Sequence, residues 1–252
     1  MAQSNSKLTR WSPHRLDRKL RTKSLESLRN FLSARQVSSS LSPLDILKLW
    51  KGLFYALWMC DRTLPQQALC QDLADLIYAL PDRDAVVVAW LRGFWATMAR
   101  EWTGIDVLRL DKFLLLVRRV LAASLAWMKV REDGEGGGQR KRTLGGEAKK
   151  KSRWDTKRID AVVGVLGDYP FVLEEDAKVR RQGKEDGDEE TIMGDVDELV
   201  PKYVAVGLKL HVLDIWVDEA EKVGLLDEED EQAKDIIRRI TDLVDELEKG
   251  TT

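Results

Sequence analysis

Residues 103–130 read TGIDVLRLDKFLLLVRRVLAASLAWMKV, and the fold turns on this stretch. Thr103 followed three residues later by Asp106 is a capping-box pattern, so a helix is expected to start here and run to about Val130. At 100° per residue, Leu108, Leu110, Phe113, Leu114, Leu116, Val117, Val120, Leu121 and Leu125 nearly encircle that helix and leave a narrow polar stripe. A helix apolar on most of its circumference must be contacted from several sides. It is therefore expected to be the most buried element and the centre of the fold.

The pattern stays helical on both sides. From Pro13 to Gln36, Leu16, Leu20, Leu25, Leu28, Phe31 and Leu32 share one half of the wheel, and Arg15, Arg18, Lys19 and Arg29 form a basic back. Ser42, Pro43 and Asp45 read as N-cap, first-turn proline and capping-box acid for a helix carrying Leu47, Trp50, Leu53, Phe54, Leu57 and Trp58. Another helix follows from Leu64-Pro65 to Pro81, and the next from Asp82 to about Trp102. Beyond the central helix, a short helix is expected at about 155–166, a longer one from Glu198 to Val223, and a last from Glu228 to Leu247 capped by Asp227. The β-branched cluster Val86 to Val88 sits inside a helical pattern, so no strand is expected. Helices of this length with short connections predict an all-α, antiparallel helical-repeat (HEAT-like) array, one domain over residues 7–250. Two segments break the period: residues 132–153, basic and glycine-rich, and residues 178–195, acidic. Both are expected to be flexible loops.

The 252 residues are 44% apolar and 33% charged, enough to bury a sizeable core. No apolar run approaches the roughly 18 residues that span a bilayer, so no membrane contact is expected. The first ten residues lack a secretory pattern, and Cys60 and Cys70 cannot build a disulfide framework, which together suggest a reducing compartment. The net charge of −2 hides a strong asymmetry: residues 1–158 carry 30 Lys and Arg against 16 Asp and Glu, and residues 159–252 carry 11 against 27. A basic half suits phosphate; an acidic half suits a basic protein or solvent.

The chemistry-bearing residues are sparse. With His14 and His211 the only histidines, a histidine-based triad has few placements. His211, Asp214 and Asp218 fall on one helical face and are the sharpest candidate for a divalent metal or a nuclease, against the simpler pairing of His211 with Asp214. Gly134 to Lys141 lacks the Walker residues, and Cys60 and Cys70 lack zinc spacing. No catalytic residue, metal or cofactor is assigned. Most of the nine tryptophans recur at apolar helical positions and belong to the core. The candidate contacts for RNA or an acidic partner are basic: Arg15, Arg18, Lys19 and Arg29 on the first helix, Arg109, Lys112 and Arg119 along one stripe of the central helix, and Lys149, Lys150, Lys151 and Arg153 in the glycine-rich segment.

Three segments carry a resemblance. They are Trp50-Lys51-Gly52-Leu53-Phe54-Tyr55-Ala56-Leu57-Trp58-Met59-Cys60-Asp61; Phe94 to Trp102 continuing through Gly104-Ile105-Asp106 to Leu108-Arg109-Leu110-Asp111-Lys112-Phe113; and Gly207-Leu208-Lys209-Leu210-His211-Val212-Leu213-Asp214-Ile215. In order and spacing, over roughly residues 14 to 225, the chain resembles the eukaryotic ribosomal RNA-processing protein 1 family of nucleolar large-subunit assembly factors. The resemblance implies a non-enzymatic helical scaffold in the nucleus and nucleolus, bound to the large-subunit (pre-60S) pre-ribosomal particle with other assembly-factor proteins and pre-rRNA, and needed for spacer processing. It does not extend to the long basic tail of larger relatives. Two other readings stand beside it: a protein-only helical-repeat adaptor, and a metal-dependent RNA-processing enzyme using His211, Asp214 and Asp218.

Overall fold

A computed structural model describes residues 13–34, 41–81, 84–130, 153–172 and 203–249. The two segments expected to be flexible loops, 132–153 and 178–195, lie outside the described residues except for Arg153. Among the described residues eight α-helices follow in order: α1 (Pro13–Ser33), α2 (Pro43–Trp58), α3 (Thr63–Ala74, continued by a 3-10 turn at Asp75–Ala79), α4 (Asp84–Glu101), α5 (Val107–Trp127), α6 (Thr156–Asp168), α7 (Val206–Lys222) and α8 (Glu231–Lys249). No strand occurs among the described residues, apart from an isolated bridge between Lys129 and Trp154.

Local chemistry sets several of the helix ends. Ser42 and Asp45 close the expected capping box at α2: the Asp45 amide donates to Ser42 Oγ at 3.1 Å, and the Ser42 amide to Asp45 Oδ2 at 3.2 Å. Gly224 ends α7 at φ +78, with Leu225 N–H donating to Ala220 O and Gly224 N–H to Glu221 O. That is the paired bond pattern of a Schellman motif, and its left-handed residue is most easily glycine.

The helices pack in two rows. α2 lies against α4, α4 against α6 and α6 against α8, and in the other row α3 lies against α5 and α5 against α7. Consecutive helices alternate between the rows, and every second helix is a side-by-side neighbour. This is the all-α helical array expected from the sequence. One continuous core joins the rows, from Leu32 of α1 through Trp50, Trp90, Phe94, Phe113 and Leu121 to Ile236 and Ile240 of α8. The apolar face of α8 is thus covered by α6, with Leu243 reaching Gly167.

Several sequence expectations are corrected. α5 begins at Val107 with Asp106 as its cap, whose Oδ1 accepts from Arg109 N–H at 3.1 Å; Thr103 lies in a preceding 3-10 turn. Aspartate caps as well as threonine does, and the turn after α4 moves the start by three residues. α7 begins at Val206, later than the expected Glu198: Tyr203 to Ala205 are not helical, and residues 198–202 lie outside the described residues. α8 is capped by Asp230 rather than Asp227, because Asp230 accepts from Gln232 N–H and Ala233 N–H and also from the Trp154 indole at 2.8 Å. Phe31, expected on the buried side of α1, is exposed.

α5 is not the most buried element: it buries ten of 21 residues, α4 ten of 18. Leu108 is 94% exposed, and Leu114 is half-buried. In α4 the small residues Gly93, Ala96 and Ala99 let the neighbours close in on a helix flanked by α2 and α6.

Two glycines test the packing. A Cβ at Gly93 would overlap Ile46 Cγ2 and lie 3.1 Å from Trp50 Cδ1, whereas one at Gly52, in the middle of α2, would meet nothing within 4 Å. Gly93→Ala is expected to destabilise by about 1–3 kcal/mol, and Gly52→Ala to stabilise by about 0.5–1 kcal/mol. Urea titration of both variants checks the pair, and a Gly93→Ala protein as stable as wild type would contradict the close approach of α2 and α4.

Candidate nucleic-acid and partner interface

The three segments that carried the family resemblance meet on α5. Lys112, from the middle segment, is 5% exposed. Its Nζ donates to Trp58 O at 2.7 Å and Cys60 O at 3.0 Å, both at the end of α2 in the first segment. Asp61 stands 3.9 Å away. Burial pulls the Lys112 ammonium below the usual lysine range, and Asp61 opposes that shift. The ammonium acts as a tertiary cap on the carbonyl end of α2. Cys70 Sγ of α3 donates to Lys112 O at 3.4 Å, and burial pushes the Cys70 thiol up to about 12. This is a structural cysteine, inert as a nucleophile near neutral pH.

The third segment reaches α5 from the other side. His211 Nε2 stands 3.0 Å from Leu114 O, and since a carbonyl oxygen only accepts, that nitrogen carries the hydrogen and donates. Burial pulls its pKa below the ordinary value, with Arg118 acting in the same direction and the Leu114 carbonyl and Asp214 opposing. Asp218 pairs with Arg118 at 2.6 Å, and Arg118 also reaches buried Glu219 at 3.1 Å. The His211, Asp214 and Asp218 candidate is therefore split, with the histidine nitrogen on a carbonyl and one carboxylate on an arginine. No group of three potential metal ligands occurs among the described residues.

The basic candidates divide likewise. Lys112 leaves the phosphate-facing stripe, because an ammonium enclosed by two carbonyls cannot reach a partner. Arg109 is half-exposed, ion-paired with Asp106 and stacked 5.0 Å over the Trp58 ring. Arg119 is exposed. Arg29 pairs with Asp72 at 3.2 Å and ties α1 to α3. Arg153 lies 3.9 Å from Asp227 and 5.7 Å over the Trp154 ring. The side chains of Arg15, Arg18 and Lys19 lie outside the described set, as do Lys149, Lys150 and Lys151.

Sequence reasoning missed Arg158. It is buried, donates to Trp127 O at 3.4 Å and Lys129 O at 3.1 Å, and stacks over Trp127. It also missed the bridge at residues 128–130 and 153–155, where Val130 N–H donates to Arg153 O and Asp155 N–H to Met128 O, both at 2.9 Å. The chain entering and leaving 131–152 is pinned there. The two flanks of that segment, Val130 and exposed Arg153, are thereby held side by side on the array.

Two measurements check these assignments. Lys112→Met removes the donor from two inward carbonyls and is expected to cost about 1–3 kcal/mol; an unchanged urea midpoint would return Lys112 to the surface stripe. The folded state holds His211 neutral below its unfolded pKa, so the unfolded chain binds the extra proton and stability falls as pH drops through about 6.5. His211→Gln is expected to flatten stability between about pH 7.5 and 5.5. A variant with the same acid-side slope as wild type would remove His211 as the cause.

The structure's motif contacts coincide with sequence likeness to known proteins. Ribosomal RNA processing protein 1 homolog A of Mus musculus is 32% identical over 206 residues, 81% of this chain and 32% of that protein. Homolog B of Homo sapiens is 30% identical over 208 residues, 81% of this chain and 21% of that protein. Homolog A of Homo sapiens is 42% identical over 112 residues, 44% of this chain and 24% of that protein. The chain thus spans about a third or less of these relatives. The family model described as nucleolar protein Nop52 matches residues 14–182, from α1 past the end of α6, and the chain belongs to this family of nucleolar proteins.

Proposed function

We propose that the chain is a non-enzymatic ribosome-biogenesis factor: a helical scaffold on large-subunit precursors, in the nucleolus, that supports removal of spacers from pre-rRNA. The observation that carries this reading is the use made of the reactive groups in the three family segments. Lys112 and His211 hold helices to one another, and Arg118 and Asp218, just outside those segments, do the same. A chain that spends its motif residues on rigidity offers surface to partners rather than a reaction centre. The names of the relatives, which are ribosomal RNA processing proteins, supply the setting.

Within that reading, RNA is met by Arg119, Arg109 and the segment containing Lys149, Lys150 and Lys151, tethered at the Lys129–Trp154 bridge. A protein-only adaptor is the second reading, favoured by the internal pairing of Arg29 and Arg153 and the burial of Lys112, which shrink the free basic surface. Recovery of the tagged protein with and without RNase separates the two: association with large-subunit precursors that is lost on RNase treatment supports the scaffold on RNA.

Reversing Lys149, Lys150 and Lys151 to glutamate, with Arg153 left in place, is expected to preserve the melting temperature and weaken RNA binding. Each lost phosphate contact should lower the slope of log affinity against log salt by about 0.7–0.9. An unchanged slope and unchanged recovery of precursor rRNA would assign these lysines to solvent.

A further inference from the structure

Among the described residues, α7 is the last helix of its row. It turns Leu208, Val212 and Ile215 inward, and α5 is its neighbour in the row. The side facing away should be polar in a helix that ends against solvent. Instead Tyr203, Val206, Leu210 and Val217 stand there, exposed from 44% at Val217 to 66% at Val206. At 100° per residue, Val206, Leu210 and Val217 fall within about 40° of one another, roughly opposite Leu208 and Ile215.

Charge decides what could cover the stripe. Asp214 and Glu221 are exposed along its edge. Among the described residues the nearby cations are engaged elsewhere: Arg118 holds Asp218 and Glu219, Lys222 holds Glu219, and Lys209 donates to Val172 O at 2.7 Å. An apolar strip beside uncompensated carboxylates repels a phosphate backbone. It also disfavours residues 190–200 of this chain, which include Ile192, Val196 and Leu199 but carry Glu190, Asp195, Asp197 and Glu198 and no lysine or arginine. The row supplies the shape, because α5 meets both α3 and α7 as helix against helix, and the neighbour that fits the far side of α7 in the same row is another helix.

We propose that the outer face of α7 docks an amphipathic helix of another protein, whose apolar row lies on Val206, Leu210 and Val217 and whose lysines or arginines face Asp214 and Glu221. None of the residues of this surface is among the basic ones assigned to RNA. The two assignments can therefore fail independently.

The test places p-benzoylphenylalanine at position 210 of the full chain, irradiates the protein in nucleolar extract, and maps the cross-linked peptide. A synthetic copy of that peptide then serves as the probe with purified protein. The expected result is a cross-link to one other protein, in a segment with apolar residues at helical spacing and at least two basic residues. Leu210→Asp should weaken peptide binding at least tenfold with an unchanged thermal melt. Asp214→Lys with Glu221→Lys should weaken it similarly, and a peptide with its basic residues changed to glutamate should regain binding to that double variant. Cross-links to RNA, to a second copy or to residues 173–202, no cross-link at all, or indifference to the charge reversal would each overturn the proposal. Recovery of large-subunit precursors reports separately on the scaffold reading.

Discussion

The array depends on cations from later helices capping the carbonyl ends of earlier ones. Lys112 of α5 donates to the end of α2, Arg158 of α6 to the end of α5, and Lys209 of α7 to Val172 just after α6. The last carbonyls of a helix have no partner within it and carry the negative end of its dipole. Glycine in the left-handed conformation is a common local solution, and among the described residues it appears only after α7. Elsewhere the solution is tertiary, so that the ends of α2 and α5 are completed only when a distant helix arrives. That couples the order of the rows to the satisfaction of buried polar groups, and a shift of one helix would leave both a charge and carbonyls unpaired.

This arrangement explains what could be read from the sequence and what could not. Helical periodicity reported the existence of every helix from α1 to α8, because each needs an apolar stripe whatever its partner. It did not report which stripe residue is covered. Leu108 and Phe31 fit their patterns and are exposed. Starts governed by a local device, such as Ser42 and Asp45, were legible. Starts governed by a distant contact, such as Asp230 held by the Trp154 indole, were not, since an aspartate three residues earlier satisfied the same local rule. The basic candidates suffered the same ambiguity: a lysine on a helical stripe looks alike whether its ammonium meets phosphate or the end of another helix. The family segments could be recognised because they recur together, but their contact on α5 is a property of the fold.

The division into a basic first half and an acidic second half also changes meaning once the rows are in place. The two halves are in contact. Asp227 approaches Arg153, and Asp230 accepts from Trp154 while Lys129 and Arg153 lie over the same ring. Burial raises the Asp230 carboxyl, but the indole and the backbone amides of Gln232 and Ala233 outweigh it and hold the group below the usual range. The cap of α8 is therefore also the clasp on the stem of the 131–152 segment. Arg239 adds a bond to Asp160 of α6 at 2.9 Å, on the helix that the segment leads into.

Such a joint bears on the proposed function, in which RNA and protein would meet different surfaces. If the basic segment were attached to the array only through its chain ends, a phosphate backbone could pull it to many positions without ordering the rest of the molecule. With its stem bridged at Val130 and Arg153 and clasped by the start of α8, displacing it costs the bridge, the indole bond and the cap of α8 together. The acidic helix is thus fixed relative to the stem by the same few atoms. Part of the opposite charge along the sequence is consumed in fixing the halves to one another, as where Asp227 meets Arg153; in the proposed function the remainder would keep a basic partner and a phosphate backbone on separate surfaces.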